Sequence, residues 1–139
     1  GRVGSEMGIR DSFWFEPERV TAGTWLWKEH PDWLLGSDGG TRLLNLGNPE
    51  ACAGLTDLVA RALEDAKVTV YRQDFNMDPS PYWEAADAPD RVGMAEIRHI
   101  EGLYRYWEGL RERIPGLLID NCSSGGRRIR GFRVRGSSA

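Results

Sequence analysis

The stretch Val68-Thr69-Val70-Tyr71-Arg72-Gln73-Asp74-Phe75-Asn76 decides the fold. It opens as an apolar, β-branched run and closes on a cation, a carboxylate and an amide. On a strand, alternate side chains share a face, so Arg72, Asp74 and Asn76 line up together. Such a trio at a strand end meets either solvent or a ligand, and the strand alone leaves both readings open.

The flanks of this strand read as helices. Upstream, Asn48-Pro49-Glu50 has the chemistry of a helix start. Asn48 can cap, Pro49 suits the first helical position, and Glu50 suits the positive end of the dipole. Leu55, Leu58, Val59, Ala62 and Leu63 then form one apolar face, and the helix is expected to end near Lys67. Downstream, Met77 to Arg91 holds three prolines and reads as a loop. Gly93 to Arg113 reads as a helix with Ile97, Ile100, Tyr104, Trp107 and Leu110 on one face. Pro115-Gly116 closes it. Leu117 to Cys122 is a second apolar strand, with Leu118, Asp120 and Cys122 sharing a face. The Ser123-Ser124-Gly125-Gly126 loop follows.

Nearer the N-terminus, Ile9 to Phe15 reads as a strand stopped by Pro17. Trp14, Glu16 and Glu18 are thereby delivered to one strand end. Thr21 to Gly40 is a long connection carrying Trp25, Trp27, His30 and Trp33, and it closes on the Ser37-Asp38-Gly39-Gly40 turn. Arg42 to Leu46 is a short strand.

The chain has 139 residues and a formal net charge of -3. That balance argues against nucleic acid or an anionic membrane surface as partner. No apolar run approaches the ~20 residues of a spanning helix, and no signal peptide is visible at Gly1. Cys52 and Cys122 are far apart and make no disulfide framework, which favours the cytoplasm. His30 and His99 lack metal-ligand spacing, so neither a metal nor a cofactor is expected. No G-x-S-x-G elbow supports Ser123 or Ser124 as a nucleophile. Six tryptophans point softly towards sugar, which stacks on flat aromatic faces.

Strand, helix, strand, helix, strand, with polar groups at the strand ends, is the grammar of a parallel α/β fold. Glu16, Asp74 and Cys122 stand at the carboxyl edge, where such folds build their sites. A closed barrel needs about 250 residues. The expectation is therefore a partial (β/α)8 TIM barrel, with about half of the barrel present.

Four segments carry a resemblance. Trp-Phe-Glu-Pro-Glu at Trp14, Leu-Leu-Asn-Leu-Gly-Asn-Pro-Glu at Leu43, Tyr-Arg-Gln-Asp-Phe-Asn at Tyr71 and Asp-Asn-Cys-Ser-Ser-Gly-Gly-Arg-Arg at Asp120 resemble successive barrel segments of family 36 glycoside hydrolases. The resemblance runs from about Met7 to Ile129. It implies a retaining α-galactosidase acting on α-galactoside oligosaccharides, or a relative acting on α-N-acetylgalactosaminides. It leaves open whether the parent is a homo-oligomer. Position by position, it implies Asp74 as catalytic nucleophile and Arg72, Asn76 and Arg42 as sugar contacts. Trp14 would line the sugar subsite, and Cys122 with Gly125 and Gly126 would form the loop packed on the galactose ring.

The general acid/base departs from the pattern. The family's aspartate stands eight residues after the cysteine, and here that position is Arg130. An arginine cannot donate a proton near neutral pH. Residues 1–129 are thus expected as a fragment of a catalytic barrel, crippled or inactive as written. Residues 130–139 are expected as an unmatched, disordered Arg/Gly/Ser-rich tail. The alternative is a barrel that binds galactosides without turnover.

Overall fold

A computed structural model describes residues 12–36 and 39–123. In chain order the elements are β1 (Phe13–Phe15), β2 (Arg19–Thr21), α1 (Trp25–Glu29), a 3-10 turn (Pro31–Trp33), β3 (Leu34–Leu35), β4 (Thr41–Leu44), α2 (Pro49–Ala66), β5 (Val70–Phe75), α3 (Ser80–Ala86), α4 (Met94–Arg113) and β6 (Leu118–Ser123). They form two three-stranded sheets. One is parallel, in the order β1-β5-β6, and the other is antiparallel, in the order β2-β4-β3.

The parallel sheet needs long crossovers, because a hairpin cannot join parallel neighbours. Helix α2 lies in the first crossover and α4 in the second. The start of α2 follows from its sequence. Asn48 accepts the Glu50 amide at 2.9 Å, and Pro49 occupies the first turn. Its end is equally local: Lys67 adopts a left-handed conformation (φ 56°) and its amide returns to the last carbonyls.

The two helices cover one face of the parallel sheet. Leu55, Val59 and Leu63 of α2 meet Leu103, Tyr106, Trp107 and Leu110 of α4 over Tyr71 and Ile119. Each of these is essentially buried, and each large apolar side chain contributes about 1.5–3 kcal/mol by leaving water. Gly102 permits the closest approach. A Cβ there would run into the Leu46 carbonyl oxygen, so α4 can lie over that segment only without a side chain. The Cys52 thiol donates to the Gly102 carbonyl at 3.3 Å.

Five details differ from the sequence reading. The Arg42 strand belongs to the antiparallel sheet, so the alternation of strand and helix runs β1, α2, β5, α4, β6. The Thr21 to Gly40 connection contains α1, the 3-10 turn and β3, and the Met77 to Arg91 loop contains α3. The buried face of α4 is rotated: His99, Gly102 and Tyr106 are buried, whereas Ile97 and Tyr104 are exposed. On α2, Leu58 is exposed and Cys52 and Ala60 are buried instead. The portion of the first strand before Ser12 lies outside the described residues, as do Gly125, Gly126, Arg130 and the rest of the tail.

Candidate active site

The two faces of β5 differ in kind. Tyr71, Gln73 and Phe75 point to the helices and are buried, while Arg72 and Asp74 point to the open face. Register extends that open face across the sheet. Trp14 of β1 is opposite Arg72, and Arg72 is opposite Asp120 of β6. These three residues make one row, with strands about 4.8 Å apart. The next row holds Asp74, opposite the backbone of Cys122.

Strand ends explain why polar groups collect here. Pairing with β1 stops at Gln73, and pairing with β6 continues to Phe75. Asp74 therefore stands at the carboxyl end of the central strand, just past its last pair with β1 and still paired with β6. Its Oδ1 accepts the Phe75 amide at 2.8 Å, and its Oδ2 accepts Asn76 Nδ2 at 3.1 Å. Arg72 Nη2 pairs with Asp120 Oδ2 at 3.0 Å. The arginine is half exposed, so water screens the pair and its contribution to stability is small. Its effect is to orient the guanidinium. Trp14 is 58% exposed and offers an indole face beside it.

The turn after β1 places its two carboxylates differently. Glu16 Oε2 accepts the Asn76 amide at 2.8 Å, and Glu16 Oε1 accepts Arg19 Nη2 at 3.0 Å. Glu18 is fully buried behind β5. Its Oε1 accepts Gln73 Nε2 at 3.2 Å, and its Oε2 accepts His99 Nε2 at 2.8 Å. A carboxylate oxygen only accepts, so Nε2 carries the imidazole proton.

Gln73 is the hub of this cluster. Its Oε1 accepts both Tyr71 OH at 3.0 Å and Trp107 Nε1 at 2.9 Å. Tyr71 spends its one proton there. At 2.6 Å, Tyr106 OH must then donate to the Tyr71 oxygen. Burial, reinforced by Tyr71, pushes the Tyr106 phenol well above its ordinary range. Burial likewise pushes the Cys52 thiol up, partly opposed by Arg105.

The structure brings Trp14, Arg72, Asp74 and Asn76 to one face and one edge. Cys122 joins them through the β6 register. Arg42 lies in the other sheet, where its guanidinium stacks on Trp27 at 4.5 Å from the ring centroid. His30 stacks on Trp33, and His99 is tied to Glu18. Asp120 is the site residue that strand reading passed over. The signal was present, since Asp120 shares a face with Leu118 and Cys122. A cavity of 570 Å³ between β3, β4 and α3, lined by Leu34, Thr41 and Tyr82, includes none of the open-face residues. Among the described residues no helix is long and apolar enough to cross a membrane.

Comparison with known proteins places these residues in a family. The melibiase family model matches residues 3–132. The α-galactosidase AgaA of Geobacillus stearothermophilus is 30% identical over 132 residues, covering 90% of this chain and 18% of that protein. The α-galactosidase Mel36A of Lactobacillus acidophilus is 31% identical over 131 residues, covering 89% and 18%. Among solved structures, AgaA in complex with stachyose superposes with a TM-score of 0.70 at 28% identity, over 84% of this chain and 17% of that one. The Lactobacillus brevis α-galactosidase does so at 0.72 and 27% identity, over the same shares. The chain thus spans less than a fifth of the relatives it matches.

Proposed function

The chain belongs to the melibiase family, and on that premise we propose that it is a segment of the catalytic barrel of a retaining α-galactosidase. Its relatives are α-galactosidases, and one related structure holds stachyose. In this reading β1, β5 and β6 are consecutive strands of a (β/α)8 barrel. Their open face is the barrel interior. The observation that carries it is Asp74 at the carboxyl end of the central strand, one row beyond Trp14, Arg72 and Asp120.

Asp74 acts as the nucleophile. Its carboxylate attacks the anomeric carbon, the bond to the leaving oxygen breaks, and a glycosyl ester forms. Water then attacks the same carbon and releases Asp74, so that two inversions give net retention. Asn76, bonded to Asp74 Oδ2, orients the carboxylate and reaches a sugar hydroxyl. Arg72, held by Asp120, presents donors to further hydroxyls. Trp14 packs on the sugar ring. Arg42 approaches the sugar from the antiparallel sheet. Cys122 and the Gly125-Gly126 loop wall the same subsite.

Departure of the leaving group needs a proton, and the family position for its donor is Arg130. The test is made on a full-length protein carrying this chain. With Arg130 present, a nitrophenyl α-galactoside should still release its phenol, which leaves without a proton. An α-galactosyl disaccharide should be cleaved barely at all. Equal loss on both substrates would count against the role of position 130. Arg130 also favours a second reading, a barrel that binds galactosides without turnover. Tight galactoside binding with no phenol release would put that reading first.

A further inference from the structure

We propose that the Glu16-Pro17-Glu18 turn is a clamp that sets the position of Asp74, with Glu16 and Glu18 as positioning residues. The proposal rests on the reading of Asp74 as nucleophile. Two carboxylates of this turn fasten β5 on both sides of that aspartate. Glu16 holds the Asn76 amide, two residues beyond it. Glu18 holds the Gln73 amide group, one residue before it. Pro17, buried between them, fixes the backbone torsion that sends the two carboxylates to different places.

The need for a clamp follows from the ladder. Pairing with β1 ends at Phe15 opposite Gln73. Beyond that point no strand among the described residues pairs with the β1 side of β5, and the Asn76 amide would face an open edge. The Glu16 side chain takes over where the strand stops. It is itself steadied by Arg19 on its other oxygen. On the helix side, Glu18 closes a wholly buried polar cluster in which Gln73 is also gripped by Tyr71 and Trp107, and in which His99 ties the turn to α4. A nucleophile at a strand tip is sensitive to small displacements, since an error of about 1 Å can cost on the order of 100-fold in rate. The clamp removes the freedom that would allow such an error.

The test follows backbone amide exchange, peptide by peptide, in a full-length protein carrying this chain and in its Glu16→Ala, Glu16→Gln and Glu18→Gln forms. Glu16→Ala is expected to speed exchange over residues 74–78 by roughly tenfold or more, as loss of one charge-assisted hydrogen bond implies. Exchange in α2 and the melting temperature should stay as before. Glu16→Gln keeps an acceptor oxygen and should restore protection. Glu18→Gln should loosen residues 72–75 while leaving Asn76 protected. Fast exchange over 74–78 in the unsubstituted chain overturns the clamp, and so does loosening that spreads equally to α2. The underlying reading fails separately. If residues 74–78 loosen as expected but Asp74 of a full-length protein never reacts with an activated galactosyl fluoride, the nucleophile assignment falls and the fastening stands.

Discussion

The two faces of β5 divide the labour of this fold. On the helix side, Tyr71, Gln73 and Phe75 are 0%, 0% and 2% exposed, and the two polar ones are bonded into α4 and the Glu18 turn. On the open side, Arg72, Asp74 and the neighbouring Asn76 bond to Asp120, to the Phe75 amide and to one another. A strand's period of two makes this separation possible, since adjacent residues never compete for one environment. Substitutions on the helix side should therefore cost stability, and substitutions on the open side should cost chemistry.

The largest expected effect lies on the open side. Asp74→Asn keeps an acceptor oxygen for the Phe75 amide and gives up only the exposed bond from Asn76, so melting should be nearly unchanged. Turnover of a nitrophenyl α-galactoside by a full-length protein should fall by about 10⁴-fold or more, as loss of a nucleophile does. A variant that loses stability and activity together would break the division. Gln73→Leu, one residue away, should do the reverse. It removes the buried partner that the Tyr71 hydroxyl, the Trp107 indole and Glu18 share. Denaturant unfolding should then show a loss of roughly 3 kcal/mol or more.

The third effect depends on pH. The folded-state pKa of Tyr106 is raised by burial. The folded form thus keeps its proton where the unfolded form loses it, near pH ~10. This contribution is fully present below that pH and is lost as pH rises through the folded-state value. Stability should decline above about pH 10, and Tyr106→Phe should flatten the decline. The smallest effect is again on the open side. Trp14→Ala should alter unfolding by no more than ~0.5 kcal/mol, because its indole is mostly exposed. It should still raise the KM for a galactoside. A large stability loss would mean that Trp14 is packing rather than a sugar platform.

Much of this division was legible in the sequence, because its signals are local. The alternation of β5, the Asn48 cap and the stop at Lys67 each depend on residues within one turn or strand, and each stands in the structure. What was not legible depends on distant partners. His99 lay off the apolar face read for this helix, and its burial rests on Glu18, 81 positions away in the chain. Gly102 gives no apolar signal, yet it marks the closest approach of α4. Together they turn the buried face away from Ile97 and Tyr104. The Arg42 strand carried no mark of its sheet, because strand pattern does not encode partner or direction. The Glu16-Pro17-Glu18 turn was legible as two carboxylates at a strand end, but not as a pair split between the tip and the back of β5.

Whether Asp74 is the nucleophile is tested most directly by trapping. A full-length protein carrying this chain is incubated with a 2-deoxy-2-fluoro-α-galactosyl fluoride, whose leaving group needs no acid. Its peptides are then mapped by mass. The expected result is a single glycosyl ester on the peptide containing Asp74, absent from Asp74→Asn. A stable label on another carboxylate, or steady release of the sugar with inverted configuration and no label, would contradict it.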